Sequence, residues 1–309
     1  MNRLAGIIVA VVGILMAVLG GTGVVHGITQ PGVVVFLLGG LIFGLSFIPK
    51  PEDEGIERMS TPSTLANIYI SPGEVFQNLR RHPRWLVAAL LMAVCSATYA
   101  NLFMQRLGPD NVANYAIDKT LQMGMIRDNE QARKQVEDSR PQAIADNKNP
   151  VVRSAQAVSS FAGSVFGFSF LALIYWLFSM ATGGRINFWQ AFSVAVYAAF
   201  PVSILRFVLN TIVLYIKDPS DIHPILGQQS LIQDSLNFLV TSSENPVIFT
   251  LLGSFSLLMF YWVVMNAIGL KNGGEKVSGS VAWTISLSLF GLIVVLGCTM
   301  AFLFPSFLS

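Results

Sequence analysis

Aspartate and glutamate are missing from all seven long apolar runs of this 309-residue chain, which span 4–25, 32–49, 85–107, 158–182, 188–216, 246–270 and 281–304. Proton relays and cation pathways place acids inside the membrane, so this absence argues against both. Cysteine and histidine are scarce as well, at two and three residues. Cys95 and Cys298 stand alone in apolar runs and read as small buried hydrophobes, with no disulfide framework and no metal-ligand spacing. His26 and His223 fall on one side of the topology derived below and His82 on the other, so they gather no metal. Charged residues make up only 12% of the chain. A Gly-rich phosphate loop, an HExxH pair and a GxSxG elbow are all lacking, which removes the common catalytic signatures. The chain is expected to be non-enzymatic, with no cofactor and no metal.

Apolar sequence dominates what is left. Hydrophobic residues are 53% of the chain and mean hydropathy is +0.61, far from an average soluble domain. A hydrocarbon core about 30 Å thick takes roughly 20 apolar residues of helix to cross. The seven runs therefore give an all-α, polytopic membrane protein with about seven transmembrane helices. The first run is longer than a signal-peptide core and no small-x-small cleavage site follows it. With the short connector 26–31 it pairs with the second run as a membrane hairpin, residues 1–49.

Short loops set the orientation. Arg3, Lys50, Arg58, Arg80, Arg81, Arg84, Arg185, Lys271 and Lys276 collect on one side, against Lys217 alone in the short loops of the other. The positive-inside rule then puts the N-terminus in the cytoplasm and the C-terminus outside; the expected membrane is a bacterial inner one. The long loop 108–157 falls outside by this count although it carries seven Lys/Arg and seven Asp/Glu. Its length makes it a weak signal. Asp128 with Gln131 reads as a capping pair opening a helix over 129–138 that Pro141 ends, and 112–126 has helical spacing. Two short surface helices are expected there. The loop 218–245 holds Leu231, Ile232, Leu236, Phe238 and Leu239, an apolar set able to re-enter the outer leaflet or pack over the bundle.

The most informative local pattern is Ser71-Pro72-Gly73-Glu74-Val75-Phe76, followed by Arg80-Arg81-His82-Pro83-Arg84-Trp85. Ser71 suits an N-cap, Pro72 the first helical position and Glu74 the third residue of a capping box. The helix puts Val75, Phe76 and Leu79 on one side, and His82-Pro83 breaks it before Trp85. Its apolar face is expected to lie on an anionic leaflet, with Arg80, Arg81, Arg84 and Trp85 as interfacial or lipid contacts.

These residues resemble the start of the YIP domain, a family named for interaction with Ypt/Rab GTPases. The likeness continues in Gly183-Gly184-Arg185-Ile186-Asn187-Phe188-Trp189-Gln190-Ala191-Phe192 with Tyr197 and Pro201, and again from Trp262 to Gly269 and in 279–281. It covers about 67–304. The resemblance implies a five-helix membrane core without chemistry of its own, and a small-GTPase partner in the family's eukaryotic members. The chain departs from the pattern at its front, where the hairpin 1–49 and a cytoplasmic linker 50–66 replace a soluble tail. The five-helix domain then occupies 67–309, with 108–157 as its extramembrane loop.

Arg206 stands deep in the run 188–216, beyond a bend expected at Pro201. Four residues separate it from Asn210, so the two share a helix face. It is expected to snorkel to the outer interface and to pair with carbonyls, lipid phosphate or a loop acid such as Asp218. Asn101, Gln105 and Asn266 are candidates for interhelical hydrogen bonds, while Gly40-xxx-Gly44 and Gly163-xxx-Gly167 suit close helix approach. The expected function is a membrane-organising or protein-interaction component. Its partners are the bilayer and a membrane or cytoplasmic protein, not nucleic acid. The alternative is a transporter or channel for a small solute or lipid.

Overall fold

A computed structural model describes residues 3–48 and 57–305, so Pro49 and Lys50 and the first part of the linker lie outside the described residues. In chain order the helices are α1 (Arg3–Gly21), α2 (Thr29–Leu45), α3 (Thr61–Asn67), α4 (Pro72–Arg81) and α5 (Leu86–Leu107). Four short ones follow, α6 (Pro109–Gln122), α7 (Gly124–Arg127), α8 (Glu130–Asp138) and α9 (Arg140–Lys148). The rest are α10 (Pro150–Ala181), α11 (Phe188–Ile216), α12 (Leu226–Gln229), α13 (Pro246–Ser254), α14 (Leu257–Gly273) and α15 (Gly279–Leu303). Among the described residues no strand forms; two isolated bridges, Arg185 with Glu275 and Ser235 with Ser256, are the extended pairings. Among the described residues five helices, α1, α5, α10, α11 and α15, are long and apolar enough to cross a membrane.

This all-α membrane architecture differs from seven regular spans in two places. At 17 residues α2 is short for a crossing, about 25 Å of rise. The run 246–270 is broken into α13 and α14. The chain forms two compact units.

The first unit holds Met1–Val94, Val151–Ser203 and Trp262–Ser288. Its hairpin is closed by glycine. A Cβ at Gly13 would lie 2.1 Å from the Phe36 nitrogen, one at Gly39 2.2 Å from the Ala10 nitrogen, and one at Gly32 2.4 Å from the Ala17 nitrogen. Gly6 and Gly20 meet the opposing backbone in the same way, so glycines seven apart line the seam of α1, and Gly32 and Gly39 that of α2. The Gly40-xxx-Gly44 and Gly163-xxx-Gly167 pairs have open space instead and mediate no close approach.

The core of this unit is the first half of α11. Residues Trp189 to Ala198 are all buried, which a helix tolerates only when protein surrounds it on every side. Asn266 is fully buried, accepts from the Tyr175 hydroxyl and donates to the Trp262 carbonyl at 2.8 Å, as expected of a polar residue linking helices. Asn101 bonds its own helix through Ala97, at 2.8 Å, and is exposed, as is Gln105.

The second unit holds Cys95–Pro150, Ile204–Tyr261 and Leu289–Ser309. Tyr99, Phe103, Leu107, Val112, Leu214, Ile222 and Leu231 form its core cluster. The Tyr99 hydroxyl donates to the Gly227 carbonyl at 2.6 Å, tying the loop after α11 to α5. The segment 109–148 forms four helices rather than two. Asn129, one residue later than expected, caps α8 by accepting from the Ala132 N–H at 3.1 Å. Asp128 is occupied by Arg127 at 3.0 Å. Arg140 fastens α9 to α6 through Asp118, at 2.8 Å, and Asn114, at 3.2 Å. Both cysteines are free and only half-buried, which corrects the reading of them as core hydrophobes.

His223 gives this unit a pH dependence. Its Nδ1 accepts from the N–H groups of Ile225 and Leu226, both at 3.1 Å, and its Nε2 lies 3.0 Å from the Tyr115 hydroxyl. An accepting Nδ1 puts the ring proton on Nε2, which donates to Tyr115. Burial, and then the Lys119 cation, hold the pKa below the ordinary 6.5. Because the folded value is the lower one, the unfolded chain binds more protons between the two. The stabilisation is complete above 6.5 and is lost as pH falls through the folded value. Amide exchange at Ile225 and Leu226 should therefore accelerate on acidification, and His223→Asn should remove that dependence. Protection unchanged down to the carboxylate range would contradict the assignment.

Candidate functional site

Three separated stretches of sequence meet on one face of the first unit. The first is α3 and α4. Ser60 caps α3 by accepting from the Ser63 N–H at 3.2 Å, so the expected linker already contains ordered helix. Ser71 precedes α4, at φ −134° and ψ 64°, and makes no side-chain cap bond. The capping box is therefore not formed. Pro72 at the helix start, Glu74 in the first turn and Arg80 and Arg81 in the last remain favourable for the helix dipole.

The apolar face of α4 is where the structure departs most from expectation. Val75 and Phe76 are 0% exposed and Leu79 is 1% exposed. Protein covers them, not lipid. A Cβ on Gly269 of α14 would meet the Phe76 ring at 3.1 Å and Val194 of α11 at 2.7 Å, so the phenyl ring fills a space that glycine leaves open.

The second stretch is the turn from Gly183 to Asn187, and the third is the turn after α14. Gly183, at φ +78°, takes the left-handed conformation that ends α10. Arg185 and Glu275 then exchange backbone hydrogen bonds at 2.7 and 2.5 Å, joining the two turns. Lys276 beside them also takes positive φ, +55°, although two glycines precede it. Asn187 accepts from the Trp189 N–H at 2.9 Å and so starts α11, while Gln190 donates to the Arg80 carbonyl at 2.9 Å.

Side chains complete the junction. Arg80 pairs with Glu275 at 3.3 Å, and Gln77 donates to Asn272 at 3.3 Å. Arg84 donates to Thr64 at 2.5 Å and to Asn78 at 3.3 Å. Burial draws the Arg84 pKa below the ordinary arginine value, with Tyr197 opposing and Arg58 adding to the shift; the group stays cationic at neutral pH. Trp85 sets its ring edge-on to Phe192 with centroids 5.0 Å apart. Trp189 donates from its indole to the Ile48 carbonyl at 3.1 Å. Ile70, just before the helix, is 81% exposed.

Of the site residues read from sequence, Arg80, Arg84 and Trp85 thus enter one connected junction with Arg81 on the same helix, whereas Arg206 belongs to the second unit. Glu275 and Asn78 were not singled out, and Gln190 only as part of the quoted motif. The spacing of Gln190 from Asn187 is a readable capping signal, since its side chain accepts from the Asn187 N–H at 2.7 Å. Glu275 has no such local mark, because it acts on Arg80 and Arg185, distant in sequence. Among the described residues no group of three His, Cys, Asp or Glu side chains is placed to hold a metal.

In the second unit Arg206 is exposed while Asn210, four residues on, is 2% exposed and accepts from the Leu231 N–H at 2.9 Å. The two do not share an environment, because the returning loop covers only Asn210. Asp218 does not serve Arg206. Its carboxylate is held by Ser220, at 2.6 and 2.9 Å, and lies in the field of Arg106, and these interactions keep its pKa below the usual carboxylate value.

No curated protein and no solved structure matches the chain. The family model described as the Yip1 domain matches residues 66–303, a range that takes in α4, both turns of the junction and the last membrane helix. The chain is an integral membrane protein belonging to the Yip1-domain family.

Proposed function

We propose that this protein is a non-enzymatic membrane-organising or interaction component whose working surface is the basic junction built from α4 and the two turns. The convergence of the three motif segments carries the reading. Arg185 and Glu275 join the turns through their backbones, Arg80 joins α4 to Glu275, and Gln190 joins α11 to α4. Such a fixed array of Arg80, Arg81, Arg84 and Arg185, with Ile70 exposed at the opposite end of α4, suits an acidic protein surface docked next to the bilayer. A small GTPase is the partner that the family's name points to. The short-loop charge balance favours placing this face in the cytoplasm, with the C-terminus outside, and the membrane proposed is a bacterial inner one. The domain division proposed is hairpin 1–49, linker 50–66 and five-helix domain 67–309.

One observation favours a transporter as the second reading. The run 246–270 is interrupted at Phe255 and Ser256, and discontinuous membrane helices commonly line substrate sites. Solute flux in proteoliposomes separates the two. The interaction reading expects flux no greater than in protein-free vesicles. Flux that depends on the protein and is lost in Asp234→Asn would transfer the assignment to transport.

A further inference from the structure

Contacts along the first half of α11 fix the direction of α4. The Arg80 carbonyl accepts from Gln190 at 2.9 Å. Phe76 and Val194 face the same Gly269, and the rings of Tyr69 and Phe200 have centroids 6.3 Å apart. As the chain steps back from 80 through 76 to 69, its partners advance from 190 through 194 to 200. Helix α4 is therefore antiparallel to α11, and its start stands about 15 Å further along that helix than its end. A second leg begins level with Asn78, whose side chain accepts from the Met59 N–H at 3.3 Å, and climbs through α3 to the buried Ile68. Tyr69 and Ile70 form the tip between the legs, and both are exposed.

The depth of the tip follows from α5. Its 22 residues rise about 33 Å, just enough to cross a hydrocarbon core, so its first turn marks the boundary on the basic side. Trp85, immediately before it, packs on Phe192 with centroids 5.0 Å apart. Phe200 lies about 12 Å beyond Phe192 along α11, which carries the tip close to the middle of the bilayer. Below Ile70, the side chains of Glu74, Gln77 and Arg81 follow at helical spacing on the outward face of α4. Glu74 is exposed and makes no ion pair with any described residue. It stands between the levels of Val194 and Phe200, inside the boundary that Trp85 marks. Acyl chains cover Ile70 well but leave a carboxylate at that depth unsatisfied.

We infer that α3 and α4 form a re-entrant hairpin in the leaflet on the basic side, and that its outward stripe docks a membrane-spanning helix of a partner protein. That helix is apolar opposite Ile70, offers a basic side chain to Glu74 and carries acids where it leaves the membrane beside Arg81. The last of these contacts rests on the interaction reading proposed above; the depth of the hairpin does not.

Depth is read by electron paramagnetic resonance on the full-length protein in bilayers. The background is Cys95→Ser with Cys298→Ser, and a nitroxide is placed at Ile70, Leu86 or Val94. Leu86 opens α5 and Val94 lies eight residues further in, both exposed. Accessibility to oxygen and to a water-soluble nickel chelate should place Ile70 level with Val94, about 12 Å deeper than Leu86. A label at Ile70 as shallow as the one at Leu86 overturns the re-entrant hairpin. The partner is read by photo-crosslinking from Ile70 in native membranes, with the joined peptide sequenced. It should come from a run of roughly 20 apolar residues, and Glu74→Lys should cut its yield about tenfold by setting like charges together. A peptide from a water-soluble segment, lipid adducts alone, or a yield unmoved by Glu74→Lys overturns the docked helix. An adduct that survives reversal of Arg81 and Arg185 removes the basic junction from the interface and leaves the contacts of Ile70 and Glu74 standing.

Discussion

Alanine at Gly13 or Gly39 should force α1 and α2 apart, at a cost of about 2–3 kcal/mol for each position. The added methyl would stand 2.1 Å from the Phe36 nitrogen in the first case and 2.2 Å from the Ala10 nitrogen in the second. Backbone cannot yield as a flexible side chain does, so the helices must separate or slide. Spin labels at the exposed positions Val11 and Leu37 should report a short, narrow distance in the parent protein and a longer, broader one in either variant. Gly40→Ala and Gly163→Ala meet open space and should change nothing. Equal effects from the two pairs of variants would show that the seven-residue glycine seam does not hold the hairpin.

Phe76→Ala should cost about 3–5 kcal/mol, the usual range for emptying a buried phenylalanine. The ring is fully buried against Gly269, so its removal opens a cavity between α4 and α14. The same substitution on a helix resting on lipid would cost little, since acyl chains would fill the gap. Thermal unfolding in detergent distinguishes the two. Ser71→Ala should cost only a few tenths of a kcal/mol, well below the usual loss for a cap, because its hydroxyl caps nothing. A large loss there with Phe76→Ala neutral would restore the picture of a capped helix lying on the leaflet.

These two cases show what the sequence could and could not carry. Hydropathy places the membrane helices because burial in hydrocarbon depends on composition and length alone. The helical spacing of Val75, Phe76 and Leu79 identifies an apolar face but not what covers it, since lipid and protein interior are equally apolar. The hairpin glycines repeat at seven, a period that fits two helices wrapping in a long seam, whereas the four-residue pairs draw the eye and face outward. The break at Phe255 and Ser256 has no local cause strong enough to read. The helix that resumes after it is capped by Asp234, 24 positions from the Leu258 N–H that it accepts from. The same long-range closure brings an acid up against a helix break although every apolar run is acid-free. Likewise Glu275 looks like an ordinary turn residue until the fold sets it between Arg80 and Arg185.

The most direct test of the account is site-specific photo-crosslinking in native membranes from Ile70, which stands exposed just before α4, with Val94 on the exposed, apolar side of α5 as the comparison. The account predicts a discrete protein adduct from Ile70 that is lost when Arg81 and Arg185 are both changed to glutamate, and lipid adducts alone from Val94. Lipid adducts alone from both positions, unchanged by the charge reversal, would contradict it.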